Sequence, residues 1–444
     1  MYDDLIRTLI DEWQSKIPPR DLIRREMGLD PKSLFDYPKK IVSVVGLRRV
    51  GKTYVVYQLA SNLISSGHNV VYLNFEDERI PEDQNVLNSF LSVVKSRFPD
   101  ISSLYVFLDE IHRIPNWSRW LRRVFDMEKP NIIITGSTSK LTSWEIPKEL
   151  RGRSITLRVF PLRFSEYLKF KNIKVDYTAV RYSDSERAKL FSLFEEYLLY
   201  GGLPEVVLSP KAKKIMILQD YFNAIVLRDI IEQKRDVRDV PKIITLLKIL
   251  VNSVYFSASR VERAMRSIGY RISKDIILEY KEYAEDAFFI ETIPQLANSM
   301  KKQLLAPQKL YVADNGFITA LSRHRVHHGR LLENLVYIEL QRRYYGDPAI
   351  EIMYWQGKIG EVDFVVRSGF KVQELIQVCW DPTEHETLER ELRSLRRLMK
   401  ITATKKATII TGNYEDKIQI GQKTAELIPY WKWETQKPKT ERAI

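Results

Sequence analysis

The sequence predicts an α/β protein built on a parallel sheet, followed by helical, helix-turn-helix and further α/β segments. Three observations carry this. Apolar runs of strand length alternate with helical stretches between Ile41 and Val159, the order that builds parallel sheets. The first run, Ile41-Val42-Ser43-Val44-Val45, leads into Gly46-Leu47-Arg48-Arg49-Val50-Gly51-Lys52-Thr53, which fits the phosphate-binding pattern G-x-x-x-x-G-K-[ST]. A later apolar run closes on Asp109-Glu110.

Residues 1–38 read as an amphipathic helical segment broken at Pro18-Pro19. The core is expected over 39–168. After its first strand, Tyr54 to Ser66 reads as a helix, with Gly67 placed to stop it. Further strands are expected near Asn69 to Phe75, Leu104 to Leu108, Asn131 to Thr135 and Ser154 to Val159. In such a sheet, functional groups gather at the carboxyl ends of the strands.

The character changes after Pro161. Residues 169–238 read as a helical lid, interrupted by the breaker-rich turn Tyr200-Gly201-Gly202-Leu203-Pro204-Glu205. Residues 239–312 read as three helices and two strands. Ser257 or Ser259 is placed to cap a helix to Ser267, Gly269 makes the turn, and Ser273 caps Lys274 to Asp286. Residues 313–444 read as a mixed α/β domain. It has a long helix from Leu331 and strands near Glu351 to Tyr354, Glu361 to Arg367 and Val372 to Trp380. A basic helix to Lys400 and a strand at Ala407 to Thr411 follow.

At 444 residues the chain is too long for one core, and about three domains is the prior for that length. No run approaches the roughly 18 apolar residues of a membrane span, and Met1-Tyr2-Asp3-Asp4 lacks the order of a signal peptide. The single cysteine, Cys379, excludes an internal disulfide framework and a multi-cysteine metal site. A cytoplasmic protein is expected. The net charge of +13 suits a polyanionic partner such as nucleic acid, and equally a solvated basic surface.

The chemistry follows from residue types. Glycines let the backbone wrap a polyphosphate, and a helix N-terminus turns unpaired N–H groups toward the anion. The expected nucleotide contacts are Gly46, Leu47, Arg48, Arg49, Val50, Gly51, Lys52, Thr53 and Tyr54, with ATP as ligand. Lys52 would reach the β- and γ-phosphates. Thr53 and Asp109 would hold Mg²⁺, and Glu110 would orient and deprotonate the attacking water. In Thr135-Gly136-Ser137-Thr138-Ser139, Ser137 or Thr138 could contact the γ-phosphate or cap a helix. Arg153, then Arg151, is the candidate to supply transition-state charge, to its own site or a neighbouring subunit's, and each could equally be a surface residue. Arg48 and Arg49 could instead pair with Glu76 and Asp77.

On these residues the chain resembles the archaeal P-loop ATPases of the AAA+/STAND-like group that carry a C-terminal nuclease-like domain. The resemblance runs through 46–53, Asn74 to Asp77, Phe107 to Trp117, 135–139, Leu150 to Arg153, Phe160 to Tyr167 and Gly201 to Glu205. It continues through Leu227 to Ile231, Gly329 to Asn334, Gly360 to Phe364 and Leu375 to Cys379. It implies an AAA+-like core with helical lid, a winged helix over 239–312 and a restriction-nuclease-like domain. In the nuclease pattern, Glu333, Asp363 and an acid-x-lysine pair would hold Mg²⁺ and activate water. Here that pair reads Gln377 and Cys379, so Gln377 is at most a weak ligand and the lysine charge is missing.

For DNA contact the winged-helix segment is ambiguous. Its second helix sets Lys274 and Lys281 against Asp275, Glu279, Glu282, Glu285 and Asp286, which a phosphate-lined groove repels. The preceding helix carries Arg260, Arg263 and Arg266. Arg390, Arg393, Arg397 and Lys400 form a further basic stripe opposite Leu388, Leu392, Leu395 and Met399. His324, His327 and His328 read as a hydrated basic loop. The expected function is Mg²⁺-dependent ATP hydrolysis coupled to nucleic acid, DNA in the first instance. The alternatives are a nucleotide switch with little turnover acting on a protein partner, or a DNA nuclease. A homo-oligomer is compatible with each.

Overall fold

The computed structural model describes residues 2–26, 33–35, 38–136, 150, 152–232, 239–322, 324, 326–358 and 360–436. Ser137, Thr138 and Arg151 lie outside the described residues. The chain forms two compact units. The first comprises 1–159 with Asp286–Phe288, and the second 160–285 with 289–444.

In the first unit, β1 (Ile41–Val45), α1 (Asp3–Gln14), α2 (Lys52–Ser65), β2 (Val70–Asn74), α3 (Asn85–Arg97), β3 (Tyr105–Asp109), α4 (Trp117–Glu128), β4 (Asn131–Thr135) and β5 (Ser154–Arg158) build one layered core. The five strands are parallel, in the order β2-β3-β4-β1-β5. Strands β1, β3 and β4 are buried along their whole length, as expected of strands covered on both faces. The order places β4 between β1 and β3, so Thr135 ends between the P-loop and Asp109. Adjacent strands lie about 4.8 Å apart, which brings the three strand ends within side-chain reach.

The N-terminal segment departs from expectation. Among the described residues of this segment, α1 is the one long helix. Residues 22–26 have no regular structure, and Arg25 exchanges backbone hydrogen bonds with the Gln58 amide on α2, at 2.7 and 3.0 Å. The prolines at 18 and 19 lack the N–H a helix needs. Nor does the segment stand apart from the core. Ile6, Leu9 and Ile10 are buried in the same apolar cluster as Leu73, Val106 and Ile134.

The second unit begins with helices. These are α5 (Phe164–Phe170), α6 (Tyr177–Tyr182), α7 (Asp184–Tyr200), α8 (Pro204–Leu208) and α9 (Lys211–Ala224), which runs on as a π-helical stretch, Ile225–Ile231. Next come α10 (Val240–Val251), β6 (Tyr255–Phe256), α11 (Ala258–Ser267), α12 (Lys274–Asp286), β7 (Ile290–Ile293), α13 (Met300–Leu305) and β8 (Gln308–Val312). The three strands pair antiparallel in the order β6-β8-β7. After α14 (Asn315–Leu321) and α15 (His328–Tyr344) a six-stranded mixed sheet forms. Its members are β9 (Ile350–Gly357), β10 (Gly360–Ser368), β11 (Lys371–Val378), β12 (Lys406–Thr411), β13 (Asp416–Ile420) and β14 (Lys423–Pro429). The last two strands, a hairpin, were not expected from the pattern of apolar residues. Asp416 to Ile420 is an exposed edge, so its alternation is weak. Helix α16 (His385–Ile401) buries Leu392, Leu395, Leu398 and Met399 against the sheet and leaves Arg390, Arg393, Arg397 and Lys400 exposed.

The Gly201-Gly202 turn has a structural cause. Asp314 caps α14 through the Gly316 N–H at 2.8 Å and accepts the Gly202 N–H at 2.7 Å. Leu162 and Gly202 share a backbone hydrogen bond of 2.7 Å, and a Cβ at 202 would sit 2.2 Å from the Leu162 carbonyl oxygen. Backbone cannot yield as a flexible side chain does. Gly202→Ala is expected to destabilise this unit by about 2–3 kcal/mol, read as an earlier midpoint in urea.

Candidate nucleotide-binding site

The P-loop lies where β1 hands over to α2. Gly46 has φ +146°, and a Cβ there would meet the Val159 carbonyl oxygen at 2.4 Å. Arg49 and Gly51 also have positive φ, 67° and 95°. These turns coil the loop ahead of α2, which starts at Lys52, and the N-terminus of a helix suits an anion. Leu47 and Val50 are buried and anchor the loop, so they can offer a ligand backbone only. The Lys52 ammonium donates to the Gly46 carbonyl at 3.0 Å and the Leu47 carbonyl at 3.3 Å. It is thereby held across the loop, where an anion would replace these neutral acceptors with charged ones.

Asp109 ends β3 and is buried at 1 % exposure. Its carboxyl accepts hydrogen bonds from Tyr72 at 2.6 Å, from Thr135 and from Thr53. Burial pushes its pKa up, while these hydroxyls and the Lys52 charge pull it down. An acidic group with a hydroxyl from the P-loop helix beside it is a hard-oxygen donor set of the kind Mg²⁺ takes. The described residues hold no group of three or more His, Cys, Asp or Glu arranged for a metal ion. The fit here is to a metal that also takes oxygens from its nucleotide.

Glu110 follows in the left-handed region, φ 54°. Its N–H donates to Thr135 Oγ1 at 3.0 Å, and Oε2 lies 3.3 Å from His112 Nδ1. Burial raises its pKa to about 7, against the lowering effect of Lys52 and Arg48. A carboxyl with a pKa close to neutrality is a suitable general base. If Glu110 takes the proton, only its ionised form is competent. In the free enzyme kcat/KM for ATP should then fall about tenfold per pH unit below 7 and level off above it. A profile flat between pH 5 and 8 would remove Glu110 from that role.

Tyr72 and Thr135 were not among the sequence candidates. Thr135 is visible in the sequence as a polar end to an apolar run, but its place beside β3 follows only from the strand order. Tyr72 carried no signal, because a tyrosine within an apolar strand reads as core. Its own pKa is driven far up by burial and then by Asp109, so the phenol stays a donor to that carboxylate.

Other candidates fall elsewhere. Arg153 precedes β5, and Ser154 pairs with Ile41 at the amino end of β1, opposite the P-loop. Its guanidinium grips Asp126 at 2.6 and 3.1 Å. A finger acting on its own chain's nucleotide is therefore ruled out by the direction of the strand. At the right end of that strand is Arg158, in register with Val45. The pairing of Arg48 and Arg49 with Glu76 and Asp77 is also corrected. Glu76 pairs with Arg113 at 2.9 Å, and Asp77 with Arg79 at 2.9 Å. Tyr54 is exposed and donates to Asp21 at 2.9 Å.

In the second unit, Glu333 and Asp363 do converge, but around the buried Lys309. Gln377 accepts the Asp363 N–H at 3.3 Å and donates to Glu391 at 2.6 Å. Cys379 is buried in the apolar cluster with Leu392 and Leu395, its thiol pushed up to about 12 by burial. No helix among the described residues is long and apolar enough to cross a membrane.

Comparison with known proteins bears on the family. An AAA domain family matches residues 38–168, and two domains of unknown function, DUF8612 and DUF4143, match 191–327 and 328–433. The uncharacterized protein MJ1544 of Methanocaldococcus jannaschii is 35 % identical over 407 residues, 89 % of this chain and 88 % of that protein. An uncharacterized protein of Haemophilus influenzae is 28 % identical over 408 residues, 90 % of this chain and 96 % of that protein. Among solved structures, the Walker-type ATPase PABY2304 of Pyrococcus abyssi is similar at 14 % identity and a TM-score of 0.41, over 65 % of this chain and 92 % of that one. AMPPCP-bound DnaA from Aquifex aeolicus is similar at 15 % and 0.28, over 61 % and 92 %. The chain thus belongs with MJ1544 to a family of P-loop ATPases built on an AAA domain.

Proposed function

We propose that the protein hydrolyses ATP with Mg²⁺ and couples the nucleotide state to DNA binding. The observation that carries this is the meeting of Lys52 and Thr53 with Asp109 and Glu110 at the carboxyl ends of β1 and β3. The loop N–H groups and Lys52 would hold the phosphates, and Thr53 and Asp109 the metal. Bound Mg²⁺ would supply charge neutralisation at the phosphates. Glu110 accepts the proton of the attacking water as its oxygen bonds to the γ-phosphorus, and the bond to the ADP oxygen breaks. Tyr72 and Thr135 fix the Asp109 carboxylate, and Thr135 ties that carboxylate to the Glu110 backbone.

For the DNA part, α10, β6, α11, α12, β7 and β8 come in the order of a winged helix, with the short α13 inserted between the last two strands, and this order supports that reading of 239–312. Arg260, Arg263 and Arg266 are exposed on α11, and α16 presents its basic row. Both are suited to phosphate contact. The test is the ATPase rate with and without single-stranded, duplex and branched DNA, at two salt concentrations. Stimulation that fades as salt rises is expected, because phosphate contacts release counterions. Absence of stimulation by every DNA would assign the output to a protein partner instead.

A further inference from the structure

Lys309 is a charged residue, the second of β8, and is 1 % exposed. Its ammonium lies 2.8 Å from Glu333 Oε1, 2.5 Å from Glu361 Oε1 and 2.9 Å from Asp363 Oδ1. An ammonium has three N–H donors; here it donates hydrogen bonds to Glu333 and Asp363 and forms a close ion pair with Glu361. The carboxylates have further donors. Tyr311 donates at 2.8 Å to the same Glu333 Oε1 that faces the ammonium, while Tyr255 donates to the outer Glu361 Oε2 and the Val378 N–H to the outer Asp363 Oδ2 at 2.9 Å. The carboxylates come from α15 and β10, and the lysine and both tyrosines from the three-stranded sheet.

We propose that the Lys309 ammonium is an internal plug, occupying the cation position of the Glu333–Glu361–Asp363 cluster and closing it to divalent metal. The same inner oxygens would have to approach Mg²⁺ or Mn²⁺ to about 2.1 Å, and the lysine stands where that ion would be. Burial pushes the Glu333 and Asp363 carboxyls up, while the surrounding carboxylates outweigh burial at Lys309 and keep it charged. Three carboxylates against one ammonium leave excess negative charge, so a cation would be taken up if the lysine were gone. Breaking a buried pair on one side is unfavourable, which keeps the plug in place. The inference does not depend on the ATPase reading.

The test compares the nucleotide-free full chain with Lys309→Met by Mn²⁺ calorimetry and thermal unfolding. The variant should bind one Mn²⁺ more than the native chain and gain thermal stability from it, and adding Asp363→Asn should remove that gain. If Lys309→Met folds only with Mn²⁺ present, the same conclusion holds. If it folds in neither condition, Lys309→Met/Glu361→Gln keeps the native net charge of the cluster and repeats the titration. A folded variant with no added Mn²⁺ equivalent overturns the proposal, as does failure of both variants to fold with Mn²⁺. Mn²⁺-dependent DNA cleavage by the native chain, lost in Lys309→Met, would also overturn it and make Lys309 catalytic.

Discussion

Lys52→Ala is expected to weaken ATP binding at least about a hundredfold, with the fold retained. The ammonium spans the loop on two carbonyls. With nucleotide it would exchange these for charged phosphate oxygens, and hydrogen bonds to charged groups contribute about 1.5–3 kcal/mol each. Losing two such bonds corresponds to a factor between about 10² and 10⁴ in affinity. The loop itself is anchored by Leu47 and Val50 and coiled by Gly46 and Gly51, so thermal unfolding should change little. Equilibrium binding of a fluorescent ATP analogue checks the loss. Affinity within a few-fold of native would place the phosphates elsewhere.

Glu110→Gln should separate binding from turnover. The amide keeps the size and the neighbouring Thr135 contact, which is made through the backbone N–H, but it cannot accept a proton. Loss of a general base slows turnover by about 10²–10⁴, while affinity for ATP should hold or tighten. There is a second consequence with a fixed sign. A carboxyl whose pKa is raised in the folded protein to about 7 disfavours the fold wherever it is ionised. The penalty is fully present above pH 7 and absent below the unfolded value near 4.3. Glu110→Gln should therefore melt at a higher temperature than the native chain at pH 8, with the difference vanishing at pH 4. A variant that is equally or less stable at pH 8 would contradict this reading of the site's electrostatics.

The parts legible in the sequence were those with local signatures. The P-loop is a contiguous pattern between a strand and a helix, and Asp109-Glu110 closes a fully apolar run, so position and chemistry could be read together. What escaped is what the sheet brings together across the chain. Thr135 reaches Asp109 because β4 lies between β1 and β3, and Tyr72 does so from β2. Nothing in their neighbours in sequence says so. Arg153 misled for the complementary reason. Its place near the start of a strand was visible, but its end of the sheet follows only from the parallel register of β5 with β1. Lys309 was hidden because a lone lysine in Gln308-Lys309-Leu310-Tyr311-Val312 reads as a solvated position until Glu333, Glu361 and Asp363 fold around it. The fold class itself was legible because alternating apolar runs dictate a parallel sheet. The β13–β14 hairpin, with its exposed edge, left too little alternation to show.

The central claim is that this pocket hydrolyses ATP through Glu110, and phosphate release from Mg²⁺-ATP measures it most directly. The native protein should release phosphate steadily, and only with Mg²⁺ present. Glu110→Gln, saturated with ATP in the same assay, should release it at least about a hundredfold more slowly. Equal rates for the two proteins would contradict the account.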